Sequence, residues 1–374
     1  MIQSLNKIRA NNDFFSSGWI CINKPINLSS FHVVRKLKEF FSLNKIGHAG
    51  TLDPLATGIL PIAFGNATKT IPYLVTSRKK YRFTILWGIK TSSHDLEGEI
   101  IERSDSVPTK NDIQKIINNF EGEIYQRPPK YSAVKIDGKR AYKLARKGIN
   151  FDTKEKKVKS YELILLDHKN NKTEFSVTVG KGFYIRSLAR DICEKLGALG
   201  VISSLERYEL GPFSLENTFS LETIEKLVHS APAGMVGGDL LIPLSEVLDD
   251  IPALLISNKE AKKIQQGQSF YNDDLHRNSK LGSEVLLLKD KRPIGLATVC
   301  ENSFKPSNRY SPNLRFFLAL RCHFRRSLTE TFSILYPKLL NSLSHESSWA
   351  HRQTGLLELP KTETLFLKTS LGLL

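Results

Sequence analysis

Between Gly47 and Gly58 the chain reads GHAGTLDPLATG, which sets His48 and Asp53 among three glycines and a proline. The stretch keeps neither a helical nor a strand period, so it is a loop. Two readings of it compete. Glycine and proline punctuate ordinary turns, and an aspartate before proline is a common turn starter. The other reading is a rigidly posed carboxylate, since Pro54 disfavours the α region for Asp53 and the glycines let a substrate approach the backbone. A carboxylate so held could act as a nucleophile. A phosphate-binding loop is excluded because no Gly-Lys-Ser/Thr follows. His48 and Asp53 have no further His/Cys cluster to complete a metal site, so no metal is expected.

Two other stretches carry charge in a form that chemistry could use. Pro128–Gly148, PPKYSAVKIDGKRAYKLARKG, holds Lys130, Lys135, Lys139, Arg140, Lys143, Arg146 and Lys147 against one acid, Asp137. Charge runs are ordinarily solvated faces, but this density, with Tyr131 and Tyr142 interleaved, favours phosphate contact. In GKGFYIRSLARD, Arg186 falls in the first turn of an expected helix. An arginine there is ordinarily surface. A cation is poorly placed at the positive end of a helix, so one tolerated there calls for an anionic partner.

The elements that must position these residues follow from periodicity. GWICIN (18–23) reads as a strand, and Ser30 as the cap of a helix running from Phe31 to about Phe41. ILPIAFG after the loop reads as a buried strand, and 81–87 as a half-buried one with Tyr81, Phe83, Ile85 and Trp87 on one face. A helix is expected over 109–120, strands over 161–166 and 174–179, and an amphipathic helix over 184–196 closed by Gly197. VKIDGK reads as a hairpin turning at Asp-Gly. Strands and helices mix without strict β-α-β alternation, so the expected fold is α+β around a largely antiparallel sheet. Past a Gly/Ala/Pro-rich linker near 229–241, a capped helix ending at Gly267 and strands in VLLLKD and PIGLATV, joined by a turn at Asp290–Pro293, form a smaller unit. From about Arg326 no pattern repeats, and a poorly ordered tail or appended helix is expected.

Composition bounds the partners. The 374 residues carry a formal net charge of +16, with 40% hydrophobic and 25% charged residues. Such a balance points to a polyanionic partner, nucleic acid or an anionic membrane surface. Four scattered cysteines make neither a disulfide scaffold nor paired metal ligands. No uncharged apolar run of about 20 residues occurs, so no membrane span is expected. The N-terminus lacks an apolar signal core, so a reducing cytoplasm is the default.

Taken together, these motifs resemble those of the TruB-type bacterial tRNA pseudouridine synthases. The resemblance covers roughly residues 18 to 310. It rests on NKP with SS at 23–30, on GHAGTLDPLATGIL, and on KKYRFTILWGIKTSSHDLEG with its Lys-x-Tyr strand and Thr-x-Ser-x-Asp turn. PPKYSAVKIDGKRAYKLARKG and GFYIRSLARD add two more. The resemblance implies two units, a catalytic domain over 1–240 and a small β-rich PUA-like RNA-binding domain over 241–325; the tail over 326–374 has no counterpart in the family. It implies Asp53 as catalytic carboxylate, Tyr81 stacking on the target base, and Arg186 pairing with Asp53. His48, Tyr184, Leu205 and Lys24, with Lys130, Lys135, Lys139 and Arg140, would bind the substrate. Phe183 departs from the usual small Thr or Ser, and Glu206 stands where an arginine is common.

The implied reaction is isomerisation of uridine to pseudouridine at position 55, in the T loop of tRNA. It breaks the N1–C1′ bond, turns the base and joins C5 to C1′. Nothing is oxidised or hydrolysed, so no cofactor is expected. The base must first be flipped out of its stack. An arginine beside the carboxylate would lower its pKa and keep it charged. The tRNA T arm would be the partner of a cytoplasmic monomer that needs no protein partner. Two rival classes remain at this point: a non-catalytic RNA-binding or RNA-folding protein on the same scaffold, and an RNA-guided pseudouridine synthase working in a ribonucleoprotein particle.

Overall fold

The computed structural model describes residues 17–230 and 241–307, apart from 243, 249, 278 and 291. Strand β1 (Ser17–Lys24) leads through a turn into helix α1 (Ser30–Phe40), then β2 (Ile46–His48), the loop of Asp53 and β3 (Ala56–Gly65). Helix α2 (Ile71–Thr76) precedes β4 (Lys79–Trp87), and a hairpin β5–β6 (Ile89–Thr91, Ile100–Arg103) follows it. Next come α3 (Lys110–Ile116), β7 (Gly122–Gln126), the hairpin β8–β9 (Lys135–Ile136, Lys139–Arg140) and α4 (Ala141–Ala145). Strands β10 (Lys156–Lys169) and β11 (Lys172–Val179) lead to α5 (Ile185–Leu196), β12 (Gly200–Leu210), β13 (Phe213–Ser214) and α6 (Leu221–Ser230).

Nine of these strands form one sheet, with path β1-β3-β12-β4-β11-β10-β7 and with β2 and β13 attached to β3 and β12. Every pairing in it is antiparallel except β3 with β12, where Leu205 lies opposite Ala56 and Arg207 opposite Gly58. A mixed α+β fold on a largely antiparallel sheet is thus present, as the sequence leads one to expect. The Asp53 loop opens directly into β3, so β12 runs alongside the loop's exit.

Alternation on β4 separates two environments. Lys79, Tyr81, Phe83, Ile85 and Trp87 are buried. Phe83 stacks on Phe175 with ring centroids 5.1 Å apart, and Leu188 and Ile192 of α5 belong to the same core. The opposite face carries the ion pairs Lys80–Glu209 (2.9 Å), Arg82–Glu174 (3.4 Å) and Arg82–Glu206 (3.8 Å).

After α7 (Leu244–Val247), strands β14 (Ala253–Leu255), β15 (Glu284–Lys289), β16 (Arg292–Cys300) and β17 (Ser303–Pro306) make a second sheet, with helices α8 (Asn258–Gln265) and α9 (Asp273–Arg277). Ser257 and Glu260 close a full capping box on α8, and Gly267 (φ +77°) follows it. One apolar cluster draws on both sheets: Trp19, Ile59, Leu74 and Phe213 with Leu244, Val247, Leu286 and Leu296.

Two readings of the sequence need correction. Ser29, not Ser30, caps α1, accepting from the His32 amide. The expected helix over 109–120 is α-helical only to Ile116 and continues as a 3-10 turn to Phe120. Strand β12, 11 residues long and beside the site, has no counterpart among the expected elements. Register shifts at Ile202/Ser204 and Arg207/Glu209 break its period of two. The linker's core (231–240) and the tail (326–374) lie outside the described residues.

Candidate active site

The Asp53 loop is held from below by three buried polar side chains on three different elements. Lys24, at the end of β1, is fully buried, and its ammonium donates to the carbonyls of Leu28 (2.7 Å), Pro25 (2.9 Å) and Pro54 (3.2 Å). Ser30, in the first turn of α1, accepts from the Leu52 amide (2.8 Å) and donates to the Leu52 carbonyl (3.0 Å). Arg207, on β12, donates from Nε to the Ile59 carbonyl (2.8 Å) and from Nη2 to the Gly50 carbonyl (3.0 Å). The Asn27 amide also donates to the Pro54 carbonyl (2.9 Å). A loop whose carbonyls are satisfied from inside has little freedom to move, and Asp53 inherits that rigidity.

Above the loop, Asp53 meets Arg186. Arg186 Nη2 donates to Asp53 Oδ1 at 2.9 Å, and Nε lies 2.8 Å from Oδ2 as an ion-pair contact without hydrogen-bond geometry, so one charge-assisted hydrogen bond and a close charge contact hold the carboxylate. Nη1 lies 3.4 Å from Asp95 Oδ2, and Nη2 also donates to the Tyr131 carbonyl (2.8 Å). Arg186 is the second residue of α5, where the helix dipole opposes a cation, and it finds two carboxylates there. Asp95 is 2% exposed, accepts from Ser93 Oγ and the Glu97 amide, and forms a bridge to Ile202 of β12. Arg186 is 5% exposed, but the Asp53 side chain keeps 33% of its surface open, so this carboxylate alone of the three groups faces outward.

Electrostatics here run against the expectation from sequence. Burial raises the Asp53 pKa above the ordinary aspartate value; Arg186 opposes this, and Asp95 adds to it. The expected net lowering by a neighbouring arginine is therefore overturned, because desolvation and a second carboxylate outweigh the guanidinium. Burial, with Asp53 and Glu97 opposing, brings Lys24 down to about 8. His48 is also lowered, first by burial and then by Arg207, so its imidazole is held toward the neutral form.

The remaining expected residues fall into three groups. Tyr81 and Leu205 lie on the site face of the sheet: Tyr81 pairs with Arg207 across β4–β12, and Leu205 with Phe83. Tyr184 precedes α5, and both its amide and its carbonyl are bound by the Gln126 side chain (3.0 and 3.2 Å). His48 closes β2, and its Nδ1 is buried without a hydrogen-bond partner. Lys24 is a correction. It does not reach the surface, because its ammonium is spent on three carbonyls, and it supports the loop instead. Lys130, Lys135, Lys139 and Arg140 are exposed; Lys130 reaches Asn150 (3.0 Å) and Arg140 the Ala133 carbonyl. The hairpin turns at Asp137 and Gly138, both with positive φ.

The two departures from the family pattern separate cleanly. Phe183 packs partly buried against the main core. Glu206 points to the ion-paired face, away from Asp53. Sequence reasoning missed Asp95 and Arg207 as members of the site. Asp95 stood in the quoted Thr-x-Ser-x-Asp turn, which was the available signal. Arg207 gave none, sitting in a strand whose alternation is broken.

A carboxylate paired with a buried arginine, on a rigid loop opening into a mixed sheet, defines the class. The architecture is that of the pseudouridine synthase fold. A Cbf5–Nop10–Gar1 complex matches it with TM-score 0.62 at 23% identity over 82% of this chain and 88% of that one. An H/ACA RNP bound to a substrate RNA containing 2′-deoxyuridine matches with TM-score 0.59 at 21% identity, over 82% and 89%. Residues 38–185 match the family model described as TruB family pseudouridylate synthase (N terminal domain). Among curated relatives, tRNA pseudouridine synthase B of Caulobacter sp. (strain K31) is 44% identical over 258 residues, 68% of this chain and 81% of that protein. The protein of the same name from Ehrlichia chaffeensis (strain ATCC CRL-10679 / Arkansas) is 41% identical over 69% of this chain and 88% of its own length. The chain belongs to the TruB family of pseudouridylate synthases.

Proposed function

We propose that this chain isomerises uridine to pseudouridine at position 55 in the T loop of tRNA, with Asp53 as the catalytic carboxylate. The observation that carries this is the ion pair: Asp53 is held by Arg186, with one hydrogen bond at 2.9 Å and a charge contact at 2.8 Å, yet keeps one third of its side-chain surface open. Naming of the 41–44% identical relatives as tRNA pseudouridine synthase B supports tRNA as substrate.

In this reading the uridine flips out of the T loop and enters beside Tyr81, whose ring offers a stacking face. Leu205 walls the pocket, and His48, held neutral, lies beneath the displaced nucleotide. Tyr184 lines the entrance at the head of α5. Asp53, ionised, attacks carbon or takes a proton, while Arg186 holds its oxygens in place. Lys130, beside the Tyr131 whose carbonyl accepts from Arg186, and Lys135, Lys139 and Arg140 on the exposed hairpin neutralise T-arm phosphates. Residues 1–240 form the catalytic domain, 241–325 a PUA-like RNA-binding domain, and 326–374 a tail outside both. The enzyme works as a cytoplasmic monomer without a protein partner or cofactor. Among the described residues no helix is long and apolar enough to cross a membrane.

The test is conversion of an unmodified tRNA transcript by the purified chain alone. Pseudouridine at position 55 is expected, and none in a transcript whose position 55 is cytidine. Activity that appears only with added RNA and protein components would replace this reading by the guided one.

A further inference from the structure

Among the described residues Arg207 and Lys24 are cations at most 1% exposed with no ion pair, and Arg207 is the one that reaches both the loop and Tyr81. It is 1% exposed, and its polar neighbours are the Ile59 and Gly50 carbonyls and, at 3.5 Å from Nη1, the Tyr81 hydroxyl. Among the described residues no carboxylate pairs with it. Burying a cation without a counterion costs several kcal/mol, and an apolar side chain of similar length would avoid that cost. Stability alone is a poor reason for an arginine here.

Its surroundings supply another reason. Gly50 lies in the loop and Ile59 in β3 beyond it, so one guanidinium ties the loop to the strand it opens into. One glycine abuts the guanidinium itself: at Gly50 (φ +81°) a Cβ would lie 3.0 Å from Arg207 Nη1, so the backbone conformation favours glycine and the contact is tight. At Gly58 (φ +95°) a Cβ would meet the Arg207 carbonyl oxygen at 2.3 Å, which reflects the close approach of β3 to the β12 backbone and not the side chain. The third nitrogen faces Tyr81, so a single side chain touches both the carboxylate's loop and the ring beside it.

We propose that Arg207 is a positioning residue that sets the span of the 50–59 loop and so places the Asp53 carboxylate against the substrate sugar and base. It acts through the loop backbone and does not touch substrate. The inference rests on the proposed activity for its kinetic arm but not for its structural one. Misplacing a reacting group by about 1 Å can cost about 100-fold in rate.

The experiment uses the full-length chain as wild type, Arg207→Met and Arg207→Lys. Two quantities are read: deuterium uptake of amides 50–59 against those of β4 and β11, and single-turnover conversion at saturating tRNA alongside tRNA affinity. In Arg207→Met, loop exchange should quicken while the sheet is unchanged, and the rate per folded molecule should fall about 100-fold with affinity held within about threefold. Arg207→Lys, which keeps the charge but cannot span both carbonyls, should fall between. If Arg207→Met does not fold, the lysine variant carries the test. If neither folds, if loop exchange matches wild type, or if the loss lies in affinity or in the folded fraction alone, Arg207 is a structural residue and the inference is overturned. A wild type that converts no uridine would sink the proposed function, while the exchange data would still decide the role of Arg207.

Discussion

Two stretches of this chain hold cations close to the site and use them in opposite ways. Beneath the 50–59 loop, Lys24 and Arg207 are buried and spent on backbone carbonyls. On the 128–148 segment, Lys130, Lys135, Lys139 and Arg140 are exposed, with few partners. The first arrangement costs desolvation and yields a fixed backbone; the second costs little and leaves charge free for phosphates. Composition counts both kinds as the same +16. Only their burial separates the machinery that holds a carboxylate from the surface that holds RNA.

The sharpest break in the comparison is at Asp53 itself. Asp53→Asn should abolish conversion while melting temperature and tRNA affinity hold or rise slightly, because the buried charge it removes is costly. Parallel losses of stability and activity in that variant would reduce the loop to a structural turn.

Next in size is Arg186→Gln, which leaves Asp53 and Asp95 without their shared cation. Losing one preorganised donor costs about 10²–10³ in rate, and the Asp53 pKa should climb further. The wild-type pKa is already raised by burial, so activity that needs the ionised form should fail on acidification above the ordinary aspartate range. The stability sign is fixed: a folded value above the unfolded one favours folding at low pH, and that contribution is lost as pH rises through the folded value. In a pH–rate profile the variant's acid limb should lie above that of wild type. An unmoved limb would show that Arg186 does not govern Asp53.

Lys24→Met then sharpens the contrast between buried and exposed cations. The Pro25 and Leu28 carbonyls lose this donor while the Pro54 carbonyl keeps the Asn27 amide, and stability should fall by about 2 kcal/mol in urea unfolding. Lys130→Gln, Lys135→Gln and Lys139→Gln should each leave stability within about 0.5 kcal/mol. The smallest effect expected is in their salt dependence. Each should lower the log–log slope of tRNA binding by about 0.7 to 0.9 if its lysine meets a phosphate. Equal destabilisation in both sets would erase the distinction.

How much of this was legible in advance follows the same division. The loop, the amphipathic α5 and the alternation of β4 were all readable, because glycine, proline and regular burial leave local marks. The Asp137–Gly138 turn was readable for the same reason. Arg207 was not, since a bulged strand hides which face a residue takes, and no local pattern announces that a guanidinium will cap carbonyls 148 and 157 residues away. Lys24 was named as a substrate-binding residue on the resemblance alone, and only its burial and three carbonyl partners show that it supports the loop. The sign of the Asp53 pKa shift needed three dimensions too, because it depends on Asp95 folding back across β12.

The most direct measurement of the central claim uses tRNA carrying tritium at C5 of the uridine at position 55 alone. Joining C5 to C1′ must expel that tritium into water. Release approaching one tritium per tRNA is expected with the purified wild-type chain. No release, under conditions where the tRNA is bound, would contradict the claim.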